Sequence, residues 1–76
     1  YIATPAWFVN ESSDPIAMFW LDYEGNPKYY YWVGPSDTVE ESRTFLGNAW
    51  CFVDTSTGEA RKAVIVEEID QIFTYP

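Results

Sequence analysis

The chain contains no histidine, a single cysteine and only four basic residues against twelve acidic ones, for a net charge of −8 over 76 residues. Without histidine, the zinc sets that use imidazole and every triad with a histidine base are excluded. Cys51 has no partner for an internal disulfide. The shortage of Lys and Arg argues against a nucleic-acid backbone or an anionic membrane as partner, since neither would gain from counterion release or surface attraction. No apolar run approaches the roughly 20 residues of a membrane helix, and no basic segment followed by an apolar stretch opens the chain. The chain opens on Tyr1 without an initiator methionine, as expected of an excised or processed piece.

Aromatic side chains are abundant: four Trp, six Tyr and five Phe make up 20% of the residues. That stock excludes disorder, because disordered chains lack the side chains whose burial offsets chain entropy. A domain this small buries only about 60% of the surface its unfolded chain exposes, so each large apolar side chain matters. Turn-forming clusters interrupt the sequence at 10–15, 24–27, 34–37, 47–48 and 54–59, leaving no room for long helices. The segments between them are short and rich in aromatic and β-branched residues, which suit a pleated, half-buried surface. Strands are predicted at 6–9, 16–23, 29–33, 39–45, 50–54, 63–66 and 72–74. The expected fold is all-β, a seven-stranded antiparallel β-sandwich forming a single domain over residues 1–76.

Period-two alternation divides each strand into faces. In the second strand Ala17, Phe19, Leu21 and Tyr23 share one face and Ile16, Met18 and Trp20 the other, so both are apolar. The fourth strand sets Val39, Glu41, Arg43 and Phe45 against Glu40, Ser42, Thr44 and Leu46; its polar middle suits an edge strand or a site wall. Cys51 reads as a small buried hydrophobe with no basic neighbour in sequence to activate it. Phe8, Phe19, Leu21 and Phe52 are the expected core aromatics and aliphatics.

The ordered segments Trp20-Leu21-Asp22-Tyr23-Glu24-Gly25-Asn26-Pro27 and Thr44-Phe45-Leu46-Gly47-Asn48-Ala49-Trp50-Cys51-Phe52-Val53-Asp54, with Phe8-Val9-Asn10 before them, carry a resemblance. Across about residues 6–76 the chain resembles the von Hippel-Lindau β-domain family. In that family a seven-stranded sandwich binds a peptide containing 4-hydroxyproline, and a separate helical domain recruits elongin C and a cullin. The resemblance implies a non-enzymatic recognition module without cofactor, whose pocket falls on Trp20, Tyr30, Thr44, Asn48 and Trp50. The two indoles would wall the pyrrolidine ring, while Thr44 stands for the family's serine and Asn48 for its histidine. Tyr29 or Tyr31 competes with Tyr30 for the tyrosine position. Arg43 replaces a second histidine and Phe45 a tyrosine. Nothing in the chain resembles the elongin-binding helix, so no elongin or cullin recruitment is expected from it.

Other motifs have simpler readings. Asp22 and Glu24 enter a Gly-Asn-Pro turn, where acidic residues are ordinary, in preference to acting as a catalytic pair. Asn10-Glu11-Ser12 fits an N-glycosylation pattern, yet Asn10 reads more simply as a turn residue. Glu40-Glu41 and Glu67-Glu68 read as solvated faces. A carbohydrate-binding module, with coplanar exposed rings stacking on sugars, and a structural domain without a ligand are the alternative functions.

Overall fold

The computed structural model describes residues 1–76. Seven strands follow one another: β1 (Ala3–Asn10), β2 (Ile16–Leu21), β3 (Pro27–Val33), β4 (Thr38–Phe45), β5 (Ala49–Asp54), β6 (Ala60–Ile65) and β7 (Gln71–Tyr75). They form a three-stranded sheet in the order β4-β1-β7 and a four-stranded sheet in the order β3-β2-β5-β6, packed as a β-sandwich. One ladder departs from the antiparallel expectation, since β1 and β7 run parallel with Phe8 opposite Phe73. A parallel pair cannot be joined by a hairpin; here five strands intervene.

Facing side chains of both sheets, with Val66 just beyond β6, make the core: Ala6, Phe8, Ile16, Met18, Val33, Trp50, Phe52, Val66 and Phe73. Phe8 is its hub, with ring centroids 5.0 Å from Trp50, 6.1 Å from Phe52 and 6.0 Å from Phe73. Two expected core residues are not there. Phe19 and Leu21 are only partly buried on the outer face of the four-stranded sheet, because Ile16 and Met18 take the inner face of β2. Cys51 is buried to 7% exposure but lies opposite Phe19 on that outer face. The second strand also ends at Leu21, two residues early. Asp22 Oδ1 accepts from the backbone N–H of Glu24 and of Asn26 at 2.9 and 2.8 Å, an Asx-type turn that removes Asp22 from the strand.

Asn10 is fully buried and ties the 11–14 loop to the end of β3. Its Nδ2 donates to the carbonyls of Asp14, Val33 and Gly34 at 2.7, 3.1 and 3.2 Å. That nitrogen is the atom a glycan would use, so the turn reading is the one compatible with the fold.

Three irregularities break the ladders, each adding one residue. On β4, Thr44 pairs with Thr4 and Glu41 with Ala6, so three steps on β4 match two on β1. On β3, Tyr31 pairs with Met18 and Tyr29 with Phe19, leaving Tyr30 as the extra residue. The third lies on β6, where Arg61 falls between the partners of Phe52 and Val53. Such bulges re-aim side chains and gather at sheet edges. β3, β4 and β6 are all edge strands.

Candidate functional site

β3 and β4 are each an edge strand of their sheet, and Tyr31 bridges them by donating its Oη hydrogen to Glu41 Oε1 at 2.5 Å. Beside this bridge opens a pocket of about 270 Å³, lined by Trp20, Tyr23, Tyr30, Glu41, Arg43, Thr44, Phe45, Asn48 and Trp50. All five residues that the resemblance singles out lie in this one cavity.

The ladders explain how they meet. Trp20 and Trp50 are direct cross-strand partners of β2 and β5 on the inward face, so both indoles point between the sheets where β3 and β4 leave the side open. The β3 bulge resolves the Tyr29-Tyr30-Tyr31 run. Tyr29 goes to the outer face and packs edge-on against Phe19, with centroids 5.6 Å apart. Tyr30 meets Trp50 at 5.1 Å and 81° and Trp20 at 6.3 Å and 75°. Tyr31 turns toward Glu41. The β4 bulge corrects simple alternation, which put Glu41 and Thr44 on opposite faces: both are buried, at 8% and 2% exposure. Glu41 is therefore not part of a solvated face, although Glu40 is exposed.

Asn48 reaches the pocket through a tight turn. Its backbone N–H donates to Phe45 O at 3.0 Å, and Gly47 at the third position has φ +92°, the left-handed value that a type II turn requires there and that favours glycine. The turn is held to the strand end beyond β6 by Gly47 N–H to Val66 O at 2.7 Å and Val66 N–H to Asn48 O at 2.9 Å.

A polar network results. Thr44 Oγ1 accepts from Trp50 Nε1 at 3.1 Å and from Asn48 Nδ2 at 3.2 Å. Asn48 Oδ1 accepts from Tyr23 Oη at 3.1 Å. The indole Nε1 of Trp20 is buried with no hydrogen-bond partner in the protein. The Tyr31 phenol is pushed up to about 12, first by burial, then by its hydrogen bond to Glu41 and the nearby charge, so it remains a donor. At the rim the Arg43 guanidinium lies 5.4 Å over the Phe45 ring, a cation-π contact.

Trp50 does two jobs. At 1% exposure it belongs to the core as much as to the pocket wall, so Trp50→Ala would cost about 3–5 kcal/mol of packing and cannot isolate a loss of binding. Sequence reasoning did not assign Tyr23 or Glu41 to the site. Tyr23 lies within the Trp20–Pro27 segment, but strand alternation set it on the face opposite Trp20. The turn at Asp22 instead swings its ring to 5.6 Å from that of Trp20. For Glu41 the signal was indirect: the bulge that buries it lies opposite Pro5, which has no N–H to give the ladder.

Among curated proteins, none matches the chain. The family model described as VHL beta domain matches residues 1–70. That family is a substrate-recognition module and not a catalytic one, and it binds protein substrates. With the match covering all but the last six residues, and with the seven-stranded sandwich in place, the chain belongs to the VHL β-domain family.

Proposed function

We infer that the domain recognises an extended peptide segment by taking one proline or 4-hydroxyproline side chain into the pocket between β3 and β4. The observation that carries this reading is the convergence of Trp20, Tyr30, Thr44, Asn48 and Trp50 on a single small cavity. Its volume of about 270 Å³ falls below the range of drug-sized sites and suits one side chain. Aromatic faces complement the C–H bonds of a pyrrolidine ring, while Thr44 and Asn48 supply polar contacts for a ring hydroxyl. The pocket adjoins the open edge of β4, where an extended segment would add as a further strand and gain backbone hydrogen bonds.

Ring geometry favours this reading over sugar binding. Around the pocket, Trp20–Tyr23, Trp20–Tyr30 and Tyr30–Trp50 meet at 88°, 75° and 81°. Those rings wall a slot; a sugar platform needs coplanar, solvent-facing ones.

The test is isothermal calorimetry with two extended peptides that differ only in the hydroxyl of a central proline. A pocket that loses a hydrogen bond with plain proline should bind it about ten- to a hundredfold more weakly. Tyr30→Ala, which removes a half-exposed wall, should weaken both peptides. Equal affinity for the two peptides overturns the hydroxyproline reading, and no affinity for either overturns proline recognition.

A further inference from the structure

We propose that the pocket recognises the ligand oxygen as a hydrogen-bond acceptor, so that a prolyl ring with an acceptor at its 4-position is held whether or not that oxygen carries a hydrogen. The proposal rests on the peptide-recognition reading and specifies its ligand chemistry.

The argument begins at Thr44. A hydroxyl has one hydrogen and two acceptor positions. Both acceptor positions of Oγ1 are occupied by groups that can only donate, the Trp50 indole and the Asn48 amide nitrogen. The remaining hydrogen must point elsewhere, and in this arrangement Thr44 Oγ1 donates to no protein atom, although Thr44 is 2% exposed. A buried donor without a partner is costly and rare. Thr44 lines the pocket, so a ligand oxygen there would satisfy that hydrogen.

Two further donors line the same cavity. The Trp20 Nε1–H is buried and unpartnered. Asn48 Nδ2 has two hydrogens, of which Thr44 takes one. In this orientation the amide oxygen faces away from Thr44 and accepts from Tyr23 Oη at 3.1 Å. Two of the nearby acceptor oxygens are already served, Asn48 Oδ1 by Tyr23 and Glu41 Oε1 by Tyr31. An oxygen with one hydrogen bond tolerates a second empty lone pair better than a buried N–H or O–H tolerates none. The side-chain atom of the pocket that is buried without any partner is a donor, the Trp20 Nε1–H.

Reversing the Asn48 amide would change the outcome. Thr44 could then donate to Oδ1, and its freed lone pair would ask the ligand for a hydrogen. The two orientations therefore predict opposite ligand preferences.

The probes are the N-acetyl N-methylamides of proline, 4-hydroxyproline, 4-methoxyproline and 4-oxoproline, each titrated into the domain while the four indole N–H signals are followed by NMR. The last two offer an acceptor and no donor, one at a tetrahedral carbon and one at a trigonal carbon. Expected is affinity for at least one of them within about threefold of 4-hydroxyproline, with proline about tenfold weaker or more. If both acceptor-only probes fall to the level of proline while 4-hydroxyproline binds, the acceptor proposal is overturned and the peptide-recognition reading survives. If 4-hydroxyproline and proline bind alike, or neither binds, the reading fails and the proposal with it.

Discussion

Replacing Thr44 with valine isolates the hydrogen bonds at the centre of the network. Valine matches threonine in shape, favours strands and would place a methyl group where the hydroxyl stands, so burial and propensity both predict a neutral or stabilising change. The hydrogen-bond geometry predicts the reverse. Trp50, at 1% exposure, would lose the acceptor it holds at 3.1 Å and keep a buried indole N–H with nowhere to turn, at a cost of about 1–3 kcal/mol. Asn48 would lose its 3.2 Å bond as well, although its amide retains Tyr23. For a domain of this size each kcal/mol lowers Tm by about 4–8 °C, and with a urea m-value of about 1 kcal/mol/M the midpoint should fall by about 1–3 M. Urea unfolding followed by tryptophan emission measures this, with Thr44→Ser as reference. Serine keeps the hydroxyl and loses one methyl group, worth about 1 kcal/mol. The expected order of stability is wild type, then serine, then valine. A Thr44→Val protein as stable as wild type, or more stable than the serine variant, would refute the view that Thr44 Oγ1 is the acceptor that makes burial of Trp50 tolerable.

Tyr31 should ionise near 12, and a Tyr31→Phe variant should remove that late phenolate transition in an absorbance titration; a difference curve centred near 10 would contradict its burial against Glu41. Because the folded value lies above the roughly 10 of an unfolded tyrosine, the stability Tyr31 contributes is fully present below about pH 10 and is lost as pH rises toward 12. Cys51 is 7% exposed and burial pushes its thiol up, so a disulfide reagent at pH 8 should modify it only as fast as the protein opens. Rapid modification of the folded domain would contradict that burial.

The candidate site was legible where residue identity carries it. Trp20, Thr44, Asn48 and Trp50 stand within two contiguous segments whose order resembles a known family, and side-chain alternation placed Trp20 with Ile16 and Met18 on the face that proved internal. It was not legible where one inserted residue changes the phase of a strand. Strict alternation separates Glu41 from Thr44 and gives no reason to prefer Tyr30 over its two neighbours. A bulge reverses the facing of everything beyond it. No glycine or proline marks the one at Tyr30, whereas the one on β4 lies opposite Pro5, whose missing N–H suits a break in the ladder.

What the sequence determined by itself is the class of fold and the absence of histidine and disulfide chemistry. Short aromatic and β-branched segments between frequent turns admit little except a small all-β domain, and those properties are local. Tertiary structure decided the rest. Both faces of β2 are apolar, so only the approach of the second sheet determined that Met18 would be buried while Phe19 and Leu21 remained outside. Only the pairing of β4 with β1 and of β3 with β2 created the bulges that turn Tyr30, Glu41 and Thr44 toward Trp50. The pocket exists because two edge strands end their sheets on the same side, and edge position is a property of strand order, which chain order does not reveal.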